Sequence, residues 1–197
     1  ELSAELLELI RKEPRLAAHL HLPLQAGCDN VLRAMNRHYT TEDFARLIEG
    51  VRAAVPGVAI STDIIVGFPG ETEEDFAAGL DFVRRMGFAR MHVFPYSARR
   101  GTPAAQRTDQ VPPTVRKERA ARMQALAQEL AEAYHRSQLG GVQEVLFETQ
   151  EDGITDGLTE TYVRVYTDAD VARGEIAPLR LTHLYRDGVW GEPVRSS

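Results

Sequence analysis

The stretch Val58 to Val66, reading Val-Ala-Ile-Ser-Thr-Asp-Ile-Ile-Val, constrains this chain more than any other. β-Branched residues crowd it, no polar alternation marks a wet face, and Gly67-Phe68-Pro69-Gly70 ends it. That is the pattern of a parallel strand covered on both faces. A parallel neighbour needs a crossover, and the flanking sequence supplies helices. Thr40-Thr41-Glu42-Asp43 opens one with cap-type residues, and Phe44, Leu47, Ile48 and Val51 follow at i, i+3, i+4 and i+7. A second starts at Thr72, with Phe76, Leu80 and Val83 as its buried stripe. His19 to Leu24 and Phe88 to Tyr96 read as further strands, and Asp29 as the N-cap of a short helix through Met35. Residues 2 to 12 place Leu6, Leu9 and Ile10 on one helical face, and Pro14 stops them.

Strand, helix, strand, helix, strand at this spacing predicts right-handed βαβ units in a parallel sheet or part of a barrel. Arg99 to Pro113 is a polar connector punctuated by prolines. A long helix follows from Thr114, with Met123, Leu126, Leu130 and Tyr134 in register and Gly140-Gly141 as its stop. From Val142 the pattern changes to short strands, near Val142 to Phe147, Thr161 to Tyr166, Leu179 to Leu184 and Val189. The expected architecture is α/β: a partial parallel (βα) barrel over residues 1–137, then a small antiparallel β-barrel over 138–197. Barrels of that size often bind oligonucleotides.

Composition excludes several classes. The chain has 197 residues, 43% hydrophobic and 26% charged, and its apolar runs are too short to cross a bilayer. Its first residues lack the basic-then-apolar order of a secretory signal, so the expected compartment is the cytoplasm. Cys28 is the one cysteine, which excludes an internal disulfide and any cluster needing several thiolates from this chain. The net charge of -6 comes entirely from residues 141–197, with 11 acidic against 5 basic side chains, because residues 1–140 hold 18 of each. Between Arg90 and Arg122 eight basic residues face two acidic ones, a stretch where a polyanion can dock.

In parallel βα sheets ligands meet the carboxyl ends of the strands. Four candidates stand there: Gln25 before a glycine, Asp63 alone amid isoleucines, the Gly67-to-Thr72 turn into a helix N-terminus, and Tyr96-Ser97. Each also has a purely structural explanation. Gln25 can bond its own turn, Asp63 can pair with Arg37, and the glycine turn can be no more than a sharp corner. His19 and His21 share a strand face, but with no carboxylate or cysteine pattern beside them they read as core or groove residues. Cys28 reads as a small loop residue.

Taken together, His19-Leu-His-Leu-Pro-Leu-Gln-Ala-Gly-Cys-Asp, Val31-Leu-x-x-Met-Asn-Arg-x-Tyr-Thr, Ser61-Thr-Asp-Ile-Ile-Val-Gly-Phe-Pro-Gly-Glu-Thr and His92-Val-Phe-Pro-Tyr-Ser-x-Arg-x-Gly-Thr-Pro-Ala form an ordered set. The set resembles the radical S-adenosylmethionine tRNA methylthiotransferases, over essentially the whole chain, with Val142 to Val194 similar to their terminal TRAM module. The His-Leu-His start and the His-Val-Phe-Pro-Tyr-Ser form look most like the branch acting on N6-threonylcarbamoyladenosine beside the anticodon. The isopentenyladenosine branch is the near rival.

The resemblance implies that Gln25, Arg37 and Asp63 hold S-adenosylmethionine: the guanidinium suits its carboxylate, Asp63 its ribose hydroxyls or amino group. It places Val66, Gly67, Phe94 and Tyr96 near the adenine, through backbone bonds and apolar contact. It implies tRNA as partner, contacted by Arg99, Arg100, Arg164 and Arg180, and two 4Fe–4S clusters in the full enzyme, whose cysteines this chain lacks. The expectation is therefore a C-terminal piece, inactive without its N-terminal domains and prone to self-association at an unpaired strand edge. Rival readings are a non-catalytic RNA-binding module and a phosphate-binding βα-barrel lyase or epimerase using the Gly67–Gly70 turn.

Overall fold

The computed structural model describes residues 2–13 and 15–194, which form two compact units. One comprises Leu20–Ala54 and Ile60–Leu130; the other comprises the described residues of Glu1–His19, Val55–Ala59 and Ala131–Ser197.

The first unit is built on a three-stranded sheet in the order β1 (His19–His21), β2 (Ala59–Val66), β3 (Arg90–Pro95). β2 and β3 run parallel, and Gln25 continues the ladder beyond β1 as a parallel bridge to Ile64. The apolar run is the central strand, as its composition predicts. Ile60, Ile64 and Val66 are buried on one face, whereas Asp63 and Ile65, on the other, stay partly open. Buried Thr62 is satisfied at both ends of its hydroxyl: it accepts the Leu24 N–H at 2.9 Å and donates to the Leu22 carbonyl at 2.7 Å.

The helices follow the sequence signals. α1 (Ala4–Lys12) is capped by Ser3; Pro14, expected to stop it, lies outside the described residues. α2 (Asp29–Ala34) has Cys28 at its N-cap, where Asp29 was expected. Asp29 instead turns its carboxylate to the first amide of α3 (Thr41–Ala54), 2.7 Å from the Thr41 nitrogen, where a helix start most needs an acceptor. Phe44, Ile48 and Val51 of α3 are buried, but Leu47 is exposed. α4 (Glu73–Met86) begins with a full capping box between Thr72 and Asp75 and buries Phe82 as well as Phe76 and Val83. In the polar connector, Thr102 caps a single turn, α5 (Pro103–Gln106), before α6 (Pro113–Gln138).

In the second unit five strands close a barrel: β4 (Val142–Glu151), β5 (Ile154–Thr159), β6 (Arg164–Thr167), β7 (Ile176–Tyr185) and β8 (Gly188–Pro193). Val145, Phe147, Val163, Val165, Leu179, Leu181 and Val189 fill it, and Tyr134 and Leu139 pack against that core. Two features differ from expectation. β5 was not foreseen, although Asp152-Gly153, both at positive φ, is the two-residue hairpin turn that announces it. The barrel is also mixed and not wholly antiparallel, because β6 and β8 pair in parallel. β7 leaves β6 to pair with β4, and β8, returning antiparallel to β7, fills the remaining gap alongside β6.

Candidate active site

At the carboxyl ends of the sheet strands the first unit opens a cleft of about 550 Å³. Gln25, Asp63, Ile65, Phe68, Phe94, Pro95, Tyr96, Ser97, Arg99, Thr102 and Ala104 line it. Ile65, Phe68, Phe94, Pro95 and Tyr96 give it apolar and aromatic walls; Gln25, Asp63 and Arg99 are its polar groups. This is a surface for a flat ring bearing hydroxyl or amino substituents. Phe68 and Tyr96 stand edge to face, with ring centroids 5.2 Å apart, which fixes that wall.

Gln25 reaches the cleft through an unusual backbone. Its φ is +71°, in the left-handed region, and it is held there by two bonds to β2: its N–H to the Asp63 carbonyl and its carbonyl from the Ile65 N–H, both 2.8 Å. Such a conformation costs about 1 kcal/mol for a residue with a Cβ. Gly27 follows, and a Cβ there would lie 2.7 Å from the Gly79 carbonyl oxygen; only glycine lets this turn pack against α4.

Asp63 is not paired with Arg37. Its two carboxylate oxygens face two imidazoles: Oδ2 lies 3.2 Å from His21 Nε2 and Oδ1 lies 3.1 Å from His92 Nδ1. His21 Nδ1 in turn lies 2.9 Å from the hydroxyl of Ser61. His21 therefore does have a carboxylate neighbour, contributed by the next strand. The signal was present in the sequence only as register: Asp63 and His92 are direct partners across β2 and β3.

Arg37 is exposed and outside the cleft lining. Burial pushes the Tyr39 phenol up, and the Arg37 charge opposes that shift. The Tyr39 hydroxyl donates to the Leu24 carbonyl at 3.0 Å, just before Gln25.

Comparison with known proteins bears on what this cleft serves. The radical SAM superfamily model matches residues 1–83. The chain is 45% identical over 163 residues to the tRNA-2-methylthio-N(6)-dimethylallyladenosine synthase of Caldicellulosiruptor saccharolyticus, covering 82% of this chain and 35% of that protein. It is 40% identical over 170 residues to the threonylcarbamoyladenosine tRNA methylthiotransferase MtaB of Bacillus subtilis, covering 84% and 38%. Residues 1–83 thus match the radical SAM superfamily, and most of the chain is similar to proteins named as tRNA methylthiotransferases. Its fold is similar to that of the radical SAM enzyme coproporphyrinogen III oxidase from Escherichia coli, with a TM-score of 0.54 at 18% identity, over 81% of this chain and 44% of that one. The chain thus spans only 35–38% of the length of these two curated relatives.

The radical SAM family brings S-adenosylmethionine and 4Fe–4S clusters, and the residues here fit one of the two. A cleft with aromatic walls, a carboxylate and a carboxamide matches a nucleoside bearing ribose hydroxyls. A chain with a single cysteine offers no ligand set for a 4Fe–4S cluster. Of the adenine-side residues, Phe94 and Tyr96 line the cleft, while Val66 and Gly67 do not. The Val66 carbonyl accepts the Tyr96 N–H at 2.8 Å, and the Gly67 N–H donates to Glu71 Oε1 at 3.0 Å, so both backbone groups are engaged within the protein.

The expected RNA contacts divide in the same way. Arg99 and Arg100 are exposed and make no ion pair among the described residues. Arg164 is paired to Asp156 and lies 3.7 Å from Asp187, while Arg180 donates to the Gly140 carbonyl at 2.9 Å. The basic stretch from Arg90 to Arg122 is likewise thinned. Arg119 is buried against Glu71, Arg122 pairs with Glu73, Arg107 with Asp109, and Arg116 donates to the Tyr96 carbonyl.

Proposed function

We propose that this chain is part of a tRNA methylthiotransferase that converts N6-threonylcarbamoyladenosine next to the anticodon to its 2-methylthio derivative. The observation that carries the reading is the 40–45% identity to two named tRNA methylthiotransferases, which extends through the strands that line the cleft. The His-Leu-His and His-Val-Phe-Pro-Tyr-Ser segments favour the threonylcarbamoyl substrate. A second reading, the dimethylallyl substrate, is favoured by relatives of that name at 43–49% identity.

S-Adenosylmethionine, when bound, supplies radical and methyl-donor chemistry. The chain's part is to seat it. Phe94 and Tyr96 pack on the adenine, Asp63 accepts from ribose hydroxyls or the amino group, and Gln25 bonds the sugar or methionine end. Arg37, exposed and outside the cleft wall, is the cation assigned to the cofactor carboxylate. Val66 and Gly67 stand behind the cleft wall, their backbone groups engaged with Tyr96 and Glu71. The clusters would be held by other polypeptide, so the 197-residue chain by itself is inactive, and tRNA reaches the site along Arg99 and Arg100.

Two measurements test this. In the complete enzyme, Asp63→Asn and Arg37→Ala should each weaken S-adenosylhomocysteine binding at least ~10-fold, the loss of one charge-assisted hydrogen bond; unchanged affinity by calorimetry removes the assignment. Mass spectrometry of nucleosides from cells lacking the gene should show loss of the 2-methylthio threonylcarbamoyl nucleoside. Loss of the dimethylallyl one instead decides for the second reading.

A further inference from the structure

His21, Asp63 and His92 stand on three adjacent strands, and their nearest ligand atoms all lie within 4.8 Å of one another. We propose that this triad binds one divalent transition-metal ion of the Zn²⁺, Co²⁺ or Ni²⁺ class.

The argument is geometric. Two ligands on a tetrahedral zinc ion with bonds near 2.0–2.1 Å sit roughly 3.3–3.5 Å apart. The His21 Nε2–Asp63 Oδ2 and His92 Nδ1–Asp63 Oδ1 separations are 3.2 and 3.1 Å, one ring to each carboxylate oxygen, and one ligand atom from each of the three residues lies within 4.8 Å of the other two, so a carboxylate engaged through both oxygens would share one ion with both rings. The strands supply the preorganisation: Asp63 and His92 are register partners, so a rigid backbone ladder delivers both to one face. Two imidazoles and one carboxylate form a borderline donor set, suited to these ions over Mg²⁺ or Ca²⁺, which prefer all-oxygen shells.

A second observation concerns the ring behind the ligand. Ser61 is 3% exposed, and its hydroxyl lies 2.9 Å from His21 Nδ1, leaving Nε2 toward Asp63. A histidine whose far nitrogen is fixed in this way has the arrangement of metal-binding imidazoles. The side chains of His21, Asp63 and His92 are 39%, 27% and 45% exposed, so an ion can enter from solvent and complete its shell with water.

The site does not depend on the functional reading above, but the two compete for the Asp63 carboxylate. The 197-residue chain, which carries no cluster cysteines to compete for metal, is titrated with Co²⁺ by visible absorption and with Zn²⁺ by calorimetry. The expected result is one ion per chain, with visible bands of a four- or five-coordinate Co²⁺. His21→Gln, His92→Gln and Asp63→Asn should each weaken it by more than ~10-fold, and Ser61→Ala about 10-fold by releasing the far nitrogen of His21. Far-ultraviolet dichroism confirms that each variant is folded. Absence of a stoichiometric ion, binding that survives all three ligand substitutions, or equal affinity for Mg²⁺ overturns the proposal. Adding S-adenosylhomocysteine to the loaded chain separates the two readings. If the ion stays and nucleoside binding is unchanged, the assignment of Asp63 to the cofactor fails while the ion site stands.

Discussion

At the scale of single residues, Gln25 shows what the cleft asks of its backbone. A left-handed φ at a non-glycine residue is tolerated when neighbours over-determine it, and here two 2.8 Å bonds to β2 do so. Gln25→Gly should leave folding stability unchanged or raise it by about 1 kcal/mol, because the strain disappears. The same variant should lose cofactor affinity in the complete enzyme. A urea midpoint that falls instead would show that the side chain holds the fold. The sequence singles out Gln25 because it ends a strand just before a glycine, and Asp63 because a lone carboxylate amid isoleucines must find a partner. It did not reveal that Asp63 answers to two histidines, since strand register is a long-range property absent from local spacing. Arg37 was placed beside Asp63 by composition alone, and the actual partners displaced it.

At the scale of elements, the turn between β2 and α4 is locked from behind. Glu71 accepts the Gly67 N–H at 3.0 Å and pairs with Arg119 of α6 at 2.8 Å, and both side chains are almost wholly buried. Arg119 also donates to the Glu71 carbonyl at 2.9 Å and lies over the Phe76 ring. Removing one member of a buried pair typically costs about 3–5 kcal/mol. Arg119→Ala should therefore lower stability by that order, with a defined pH dependence. Burial already holds the Glu71 carboxyl above its ordinary range despite the guanidinium. An acid whose folded value is raised costs stability as pH rises through it. Without Arg119 the value climbs further, so the deficit should be larger at pH 8 than at pH 5. Equal deficits in chemical denaturation at the two pH values would contradict this account.

The same lock disfavours the phosphate-binding lyase or epimerase. The amide a phosphate needs is taken by a carboxylate, and the first turn of α4 carries Glu73, Glu74 and Asp75. The helices themselves were legible because caps and apolar periodicity are local. The parallel β6–β8 pair was not, because it arises from the order in which the barrel closes.

For the whole molecule, charge and strand edges decide behaviour. Residues 141–197 carry the net -6, and their candidate arginines Arg164 and Arg180 are committed within the protein. Under the proposed function, the electrostatic contribution to RNA binding then falls on Arg99 and Arg100. Replacing both by Gln should weaken tRNA binding and reduce the slope of log affinity against log salt by roughly 1–2, about one counterion per charge. An unaltered slope removes them from the interface. The self-association expected of this chain would use the sheet, whose outer strands β1 and β3 have no further partner among the described residues, and Phe94 on β3 is half exposed. Light scattering should report dimers or larger species; a monodisperse monomer at working concentration would count against this.

The closed ladder of β4 to β8 leaves no such opening, since β4 and β7 complete the ring. Any seed for fibre-like growth must therefore come from the sheet. A short synthetic peptide copying Arg90–Pro95 should compete for that rung and lower the scattered mass of concentrated samples, and an unchanged mass would place the contact elsewhere.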